Sequence, residues 1–150
     1  MIGQQAPLFT APTDAGTVSL ADLRGQKVVL YFYPKDATPG CTIEAQGFRD
    51  LHDEFAAKGV TVLGVSKDPP KKHASFKAKQ CLPFTLVSDE GGLCEAYGVW
   101  REKTLYGRKY MGIARVTFLI DEAGVVRNVW DPVKVGGHAR EVLDAVEAAG

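Results

Sequence analysis

The sequence lacks the features of a secreted, membrane-spanning or strongly basic protein. Its 150 residues contain three cysteines and balance 18 Lys+Arg against 18 Asp+Glu. Three widely spaced cysteines do not form the framework of a small disulfide-rich domain, and zero net charge argues against a general binder of nucleic acid. No apolar stretch approaches the roughly 18 residues of a membrane span, and residues 1–7 show no signal-peptide pattern. We therefore expect a cytoplasmic protein that binds neither nucleic acid nor membrane.

No feature of the sequence divides the chain into separate parts. There is no internal repeat, low-complexity tract or Pro/Gly/Ser linker, and 45% of the residues are hydrophobic. A chain of this length buries enough surface for one core without disulfides or a structural metal. Residues 1–150 are therefore expected to form a single domain. The one dense cationic patch is expected to be the solvated face of a helix; it consists of Lys71, Lys72, Lys77 and Lys79.

Strand and helix patterns alternate along the chain. After an irregular lead-in with a hairpin and one helical turn, β-branched and aromatic runs predict strands, and three-and-four spacing of apolar residues predicts helices. This alternation predicts an α/β fold with a mixed central sheet and helices on both faces. Asp68 and Ser88 are predicted helix caps, and the three histidines are expected at the surface or at caps. The predicted strands cover 27–33, 60–65, 84–87, 115–120 and 125–130, and the predicted helices cover 41–58, 69–80, 89–97 and 138–148.

The most informative segment is the loop over residues 33–42, which joins a buried strand to a helix. It places Cys41 in the first turn of that helix. Unpaired backbone N–H groups and the helix dipole favour an anion there, and hence a thiolate over a thiol. The alternative is an inert buried cysteine, which is common among free thiols. The position of Cys41 favours a reactive cysteine.

Spacing excludes several reactions of such a thiolate. The chain has no Cys-x-x-Cys pair at Cys41, so a thioredoxin-type dithiol is excluded. A phosphatase loop needs an arginine six residues later, where Gly47 stands. For a Cys/His hydrolase, no histidine can be placed beside Cys41 from the sequence. No metal-ligand spacing or Gly-rich phosphate loop is present.

Arg115 is the second candidate site residue. It begins an otherwise apolar strand, where an unpaired charge would be costly. We therefore expect its guanidinium to point into a site that contains an anion. The alternative is an arginine at a strand end whose charged group extends to solvent.

The pattern Pro34-x-x-x-Thr38-x-x-Cys41 resembles the active-site signature of the peroxiredoxins, which are thiol peroxidases of thioredoxin-like fold. The run from Tyr31 to Thr42 is similar to the peroxiredoxin Q or bacterioferritin comigratory protein branch in particular. Further similarity extends over nearly the whole chain, through the segments 62–66, 86–90, 97–100 and 112–121.

This resemblance implies roles for four residues. Cys41 is expected to be the peroxidatic cysteine, and Thr38 to hydrogen-bond the thiolate and the peroxide. Pro34 is expected to shield the pocket, and Arg115 to be the cation beside the sulfur. The resemblance also implies reduction of hydrogen peroxide and small organic hydroperoxides, and recycling by thioredoxin or a similar dithiol. It implies no metal, haem or flavin cofactor, and a monomer or weak dimer is expected.

The residue that resolves the oxidised Cys41 is less evident, because the chain departs from the commoner pattern of this branch. Many members carry a resolving cysteine five residues after the peroxidatic one, where this chain has Gln46. Other members place it in the helix predicted here over 69–80, near whose end Cys81 lies, so Cys81 is the expected resolving cysteine. Cys94, expected to be structural, is the alternative. Two other interpretations stay open: a one-cysteine peroxidase resolved by glutathione or another external thiol, and a non-enzymatic redox sensor or holding chaperone.

Overall fold

A seven-stranded mixed sheet lies at the centre of the computed structural model, which describes residues 1–149. Its strand order is β2-β1-β5-β4-β3-β8-β9, and two further strands form a separate hairpin. The elements in chain order are β1 (Thr10–Thr13), β2 (Gly16–Ser19), a short 3-10 turn (Leu20–Leu23), β3 (Lys27–Phe32), α1 (Pro39–Asp50), α2 (His52–Ala57), β4 (Val60–Ser66), α3 (Pro70–Gln80), β5 (Thr85–Ser88), α4 (Leu93–Ala96), β6 (Trp100–Leu105), β7 (Arg108–Ile113), β8 (Val116–Ile120), β9 (Val126–Trp130) and α5 (His138–Ala148).

The central strand β3 contributes side chains to two hydrophobic cores. Successive residues of a strand point to opposite faces of the sheet. Accordingly, Val28, Leu30 and Phe32 belong to one core, whereas Val29 and Tyr31 belong to the other. Residues of α1, α2, α3 and α5 fill the Tyr31 core, and residues of α4 fill the other. The predicted α/β fold with a mixed sheet and helices on both faces is therefore confirmed.

The register between β3 and β8 positions the two candidate residues. These strands run antiparallel, and Phe32 at the end of β3 pairs with Val116 at the start of β8. The residue before Val116 is Arg115, and the chain after Phe32 enters the loop that leads to α1. Arg115 and the N-terminus of α1 therefore lie at the same edge of the sheet, although Cys41 is far from Arg115 in sequence.

The predicted helix over 41–58 is two helices. The chain leaves helical geometry at Leu51, with φ −103° and ψ 7°, and α2 begins at the next residue. The apolar spacing continues across this break, which is why periodicity alone did not reveal it. Gly47 lies where α1 crosses α5, and a Cβ atom there would be 3.3 Å from the Cβ of Ala139. A glycine at this position allows the two helices to approach closely.

Asp68 and Ser88 are not the helix caps that the sequence predicted. The residue before α3 is Pro69, and the Asp68 carboxylate instead accepts hydrogen bonds from the Asp36 amide at 2.7 Å and the Ser66 hydroxyl at 2.7 Å. Ser88 is the last residue of β5, and its hydroxyl donates to the Asp68 carbonyl. Both side chains serve loop contacts rather than helix ends.

The predicted helix over 89–97 is shorter than expected. Only the four residues of α4 are helical, and the residue before them is Gly92, in the left-handed conformation. The Asp89 carboxylate, three residues earlier, accepts the amide N–H groups of Leu93 and Cys94. These contacts hold residues 89–92 as a loop before the helix.

The β6–β7 hairpin was not predicted. Most of its side chains are exposed, so neither face shows the alternation of a half-buried strand. Tyr106 and Gly107 form its turn with φ values of 51° and 76°. At the base of the hairpin, the Ala114 amide donates to the Val99 carbonyl at 2.7 Å. The hairpin therefore projects from the sheet and is attached at its base.

The expectation of surface or capping histidines is wrong for two of the three. His73 and His138 are buried, at 0% and 2% exposure, whereas His52 is half-buried. The His138 Nε2 atom lies 2.8 Å from the Thr117 hydroxyl. A buried imidazole requires such partners, and the sequence does not show which groups will supply them.

The predicted lysine face of α3 is exposed except at Lys77, which pairs with Asp14 at 2.9 Å.

Across residues 1–149, the helices are all too short or too polar to cross a membrane.

We predict that Gly64→Ala destabilises the fold. A Cβ atom at Gly64 would lie 2.8 Å from the ring of Tyr31 and 3.0 Å from Leu86. Tyr31 is fully buried and stacks on Phe48 at 4.8 Å between ring centroids, so it has no free space to move into. Overpacking of this kind costs about 1–3 kcal/mol. Denaturant unfolding should show this loss, and Gly91→Ala, where a Cβ meets no atom within 4 Å, should show little change.

Candidate active site

Cys41 is the third residue of α1 and lies in its first turn. Thr38 precedes the helix and Pro39 begins it, a position where the missing N–H of proline costs nothing. The cysteine side chain is 1% exposed and packs in the Tyr31 core. The sulfur is therefore held at a helix N-terminus and shielded from bulk water.

Arg115 contacts the sulfur and a buried carboxylate at the same time. Its Nη2 lies 3.4 Å from the Cys41 Sγ, and its Nη1 donates to the Glu44 Oε1 at 2.9 Å. Burial acts to lower the pKa of Arg115, but attraction to Cys41 and Glu44 outweighs it and raises that pKa. The guanidinium therefore stays charged beside the sulfur, as its position before an apolar strand led us to expect.

Glu44 is a site residue that the sequence analysis missed. It follows Cys41 by three positions, so both side chains lie on one face of α1. Its carboxylate is fully buried, and its Oε2 has no hydrogen-bond partner within residues 1–149. Burial raises the pKa of Glu44 to about 7, although Arg115 acts to lower it. The signal in the sequence was an acidic residue on the apolar stripe of a predicted helix.

Gly40 leaves room for this arrangement. A Cβ atom at Gly40 would lie 3.2 Å from the Nη2 of Arg115. The backbone of the first turn of α1 therefore closely approaches the guanidinium that contacts Cys41. A larger residue at this position would displace the donor nearest to the sulfur.

Thr38 and Pro34 lie in the same loop but do not contact the sulfur through a hydrogen bond. The Thr38 hydroxyl donates to the Lys35 carbonyl at 2.9 Å. Its oxygen retains lone pairs that accept further hydrogen bonds. Pro34 is exposed at the beginning of the loop. The structure thus brings Cys41 and Arg115 into direct contact and leaves Thr38 and Pro34 at the edge of the site.

A buried polar network fixes this loop. Asp36 accepts a hydrogen bond from the Tyr33 hydroxyl with one carboxylate oxygen and contacts the His73 Nδ1 at 2.6 Å with the other. The second ring nitrogen of His73 lies 3.0 Å from the Val87 carbonyl oxygen. The Asp36 amide donates to Asp68. Side chains from α3 and from the loop after β4 therefore hold the segment that leads into α1.

The same residues are the candidate for a metal site. One ligand atom each from Asp36, Asp68 and His73 lies within 4.8 Å of the others. Both ring nitrogens of His73 and both carboxylate oxygens of Asp36 already take part in hydrogen bonds within the protein. A structural network accounts for the cluster.

The other two cysteines have contrasting surroundings. Cys81 is exposed and ends α3 in the left-handed conformation, with φ 55°. Cys94 is fully buried, and burial raises its pKa, with a further rise from its hydrogen bond to Asp89. A thiol that resists ionisation is a poor nucleophile. The structure therefore favours Cys81 over Cys94 as the thiol available for reaction.

Lys103 is a second cation near the site that the sequence analysis did not identify. Burial and repulsion by Arg115 lower its pKa, whereas attraction to Cys41 acts to raise it. It belongs to β6, so the unpredicted hairpin brings it there.

We predict that Glu44 gives the free energy of unfolding a pH dependence. Its pKa is about 7 in the folded chain against an ordinary value of 4.5, so the folded state binds the proton more tightly. Stability should therefore fall as pH rises from about 4.5 to 7, by up to about 3 kcal/mol. Glu44→Gln, which still accepts from Arg115, should lose this slope. Denaturant unfolding at a series of pH values measures this dependence. The control is Glu54→Gln, which changes an exposed carboxylate on α2 and should keep the pH dependence of the unchanged protein.

Comparisons with known proteins agree with this geometry. Residues 2–129 match the AhpC/TSA family. The putative peroxiredoxin bcp of Coxiella burnetii is 59% identical over 144 residues, covering 95% of each chain. Peroxiredoxin Bcp of Bacillus subtilis is 50% identical over 148 residues, covering 97% of this chain and 94% of that protein.

Solved structures show the same similarity. A cysteine-to-serine variant of Xylella fastidiosa PrxQ superposes with a TM-score of 0.94 at 42% identity, covering 99% of this chain and 96% of that one. The bacterioferritin comigratory protein of Xanthomonas campestris, described with an alkyl peroxide reduction activity, has a TM-score of 0.89 at 44% identity and covers 94% and 91%. The chain belongs to the AhpC/TSA family and, within it, to the peroxiredoxin Q/bacterioferritin comigratory protein branch of thiol-dependent peroxidases.

Proposed function

We propose that Cys41 is the peroxidatic cysteine of this peroxidase and that Arg115 stabilises the charge that moves during its reaction. The observation that carries this proposal is the 3.4 Å contact between the Arg115 Nη2 and the Cys41 Sγ. The substrates are hydrogen peroxide and small organic hydroperoxides. Alkyl peroxide reduction by the related Xanthomonas campestris protein supports this class.

In the first step, the Cys41 thiolate attacks the terminal oxygen of the peroxide, the one that carries the hydrogen. An S–O bond forms as the O–O bond breaks, and the sulfur becomes a sulfenic acid. The second oxygen leaves as hydroxide or alkoxide and takes a proton from water. Arg115 and the backbone N–H groups of the first helical turn face the charge that develops on the oxygens, which is the role of an oxyanion hole.

Thr38 and Pro34 complete the proposed pocket. Because the Thr38 hydroxyl donates to Lys35, its oxygen is available to accept the O–H of a bound peroxide. Pro34, which is exposed at the beginning of the loop, would shield the pocket. These roles orient the peroxide, whereas the contact of Arg115 with sulfur stabilises the breaking bond.

In the second step, Cys81 attacks the sulfenic sulfur and forms an intramolecular disulfide with Cys41. Its exposure supports this assignment, and Cys94 is too buried to compete. Structures of Xanthomonas campestris peroxiredoxin Q have been solved with serine in place of either of two cysteines. Those two cysteines are 36 residues apart in sequence, compared with 40 residues between Cys41 and Cys81. Thioredoxin or a similar dithiol then reduces the disulfide, in a cytoplasmic enzyme that acts as a monomer or weak dimer.

The alternative is resolution by an external thiol such as glutathione. It is favoured by the likeness to a yeast mitochondrial 1-Cys peroxiredoxin, described as resolved through glutathione and thioredoxin systems, with a TM-score of 0.83 at 25% identity. In that case Cys81 would remain a free thiol after peroxide treatment. A non-enzymatic sensor or holding chaperone would instead undergo one oxidation of Cys41 without sustained turnover.

Peptide mapping after one equivalent of hydrogen peroxide tests these possibilities. We expect a Cys41–Cys81 disulfide with Cys94 as the free thiol. In a coupled assay with thioredoxin, thioredoxin reductase and NADPH, Cys41→Ser should abolish turnover and Cys81→Ser should reduce it strongly, whereas the matched Cys94→Ser should retain it. Full turnover by Cys81→Ser would support the external thiol, and a stoichiometric oxidation alone would support the sensor.

We predict that Arg115→Lys slows the reaction with peroxide more than it destabilises the fold. Lysine keeps the positive charge but loses the planar group that contacts Cys41 and Glu44 together. The second-order rate constant for peroxide should fall about tenfold or more. Rapid-mixing kinetics measure it. Arg101→Lys, which changes an exposed guanidinium paired with Asp131, is the control and should react at the normal rate.

A further inference from the structure

Two side chains of α1 hold the C-terminal end of α3. The Gln46 Nε2 donates to the Gln80 Oε1 at 2.9 Å, and the Arg49 Nη1 donates to the Gln80 backbone carbonyl at 3.0 Å. Gln80 immediately precedes Cys81. We call these two hydrogen bonds the Gln80 clamp. Both are part-buried, so water can replace them when the helices separate.

The segment held by the clamp is strained. Cys81 has φ 55° and ψ 47°, a left-handed conformation that glycine adopts freely and that costs other residues roughly 1–2 kcal/mol. The clamp therefore acts against a local tendency of this turn to unwind. The rest of α3 is anchored more firmly, because His73 and Phe76 are buried at 0% and 4% exposure. The last turn, which ends at Cys81, is therefore the part of α3 that can open most readily.

The clamp holds Gln80 beside a part of α1 that lies beyond Cys41. Gln46 and Arg49 lie five and eight residues beyond Cys41 along α1, or about 7.5–12 Å along the helix axis. A disulfide needs Cβ atoms within about 3.5–4.5 Å. Cys81 is adjacent to the clamp and Cys41 is buried in the first turn of α1, so we infer that the sulfurs meet after the clamp opens.

We propose that Gln46 and Arg49 are positioning residues that set the rate of resolution: the Gln80 clamp holds Cys81 away from Cys41, and its opening delivers Cys81 to the oxidised sulfur. This inference rests on the Cys41–Cys81 resolution proposed above. Cys81 then attacks as a thiolate. An S–S bond forms, the S–O bond of the sulfenic acid breaks, and the departing hydroxide is protonated to water by the proton that the thiol released.

The clamp consequently determines how long Cys41 remains a sulfenic acid. While it is closed, a second peroxide can oxidise that sulfur further: another S–O bond forms, the O–O bond of the peroxide breaks, and water or an alcohol is released, which leaves the irreversible sulfinic acid. A weaker clamp should therefore accelerate disulfide formation and reduce sulfinic acid formation at high peroxide. It should leave the first reaction with peroxide unchanged, because neither Gln46 nor Arg49 contacts Cys41 or Arg115 through a hydrogen bond within residues 1–149.

The experiment measures the two steps separately in the full-length chain. Rapid mixing with hydrogen peroxide, acid quenching and mass spectrometry give the rates of sulfenic acid formation and of disulfide formation. We expect Gln46→Ala to accelerate disulfide formation by about twofold to tenfold, the range for one net hydrogen bond. Alanine is the better helix former, so its effect on α1 propensity opposes the expected result.

A double-mutant cycle identifies the partner. If Gln46 acts through Gln80, then Gln80→Ala and the double variant Gln46→Ala/Gln80→Ala should accelerate resolution by the same factor as Gln46→Ala alone. Arg127→Ala is the matched control, because it removes an arginine hydrogen bond to Asp121 far from both helices. It should leave both rates unchanged even where it lowers global stability.

Failure of the clamp and failure of the resolution scheme give different results. If the unchanged protein forms the Cys41–Cys81 disulfide and Gln46→Ala forms it at the same or a lower rate, the clamp is overturned and Cys81 remains the resolving cysteine. If the unchanged protein forms no such disulfide, both the pairing and the clamp are overturned. The clamp would also be overturned if the double variant accelerated disulfide formation by the product of the two single-variant factors, because Gln46 would then act independently of Gln80.

Discussion

The arrangement of the site depends on one half-buried guanidinium shared between a sulfur and a buried carboxyl group. Arg115 reaches Cys41 with one nitrogen and Glu44 with another. A buried charge is costly unless it is paired, and pairing it with a carboxylate and a sulfur spreads that cost over both partners. Loss of either partner would leave part of the desolvation cost of the Arg115 charge without a compensating interaction. The raised pKa of Glu44 shows that even this arrangement does not fully offset its burial.

Much of the remaining architecture keeps that guanidinium in place. The pairing of Phe32 with Val116 sets Arg115 at the sheet edge where α1 begins. The Asp36–His73 contact ties the intervening loop to α3, and Gly40 allows the backbone to approach the guanidinium. A site that must hold a sulfur at a defined distance from a cation therefore depends on strand register and on polar contacts from several elements.

Local features of the site were predictable from the sequence, whereas contacts between distant segments were not. The β-branched run before the loop and the helical spacing after it correctly placed Cys41 in a first helical turn. The residues themselves indicated Arg115 through the cost of an unpaired charge, and the family resemblance indicated it as well, but neither showed Glu44 as its partner, because that pairing depends on strand register. Glu44 and His73 were missed since polar residues in helices usually face solvent, and their burial depends on groups distant in sequence.

The two glycines of α1 make its helical state conditional on its neighbours. Gly40 and Gly47 permit the close approach of Arg115 and of Ala139, yet a glycine in a helix interior costs about 1 kcal/mol relative to alanine. Tertiary contacts, rather than propensity, therefore keep the helix wound. A neutral sulfenic acid attracts a guanidinium less than a thiolate does. In the proposed reaction, oxidation of the sulfur would weaken one of the contacts that maintain the helix and so would promote loosening of its first turn.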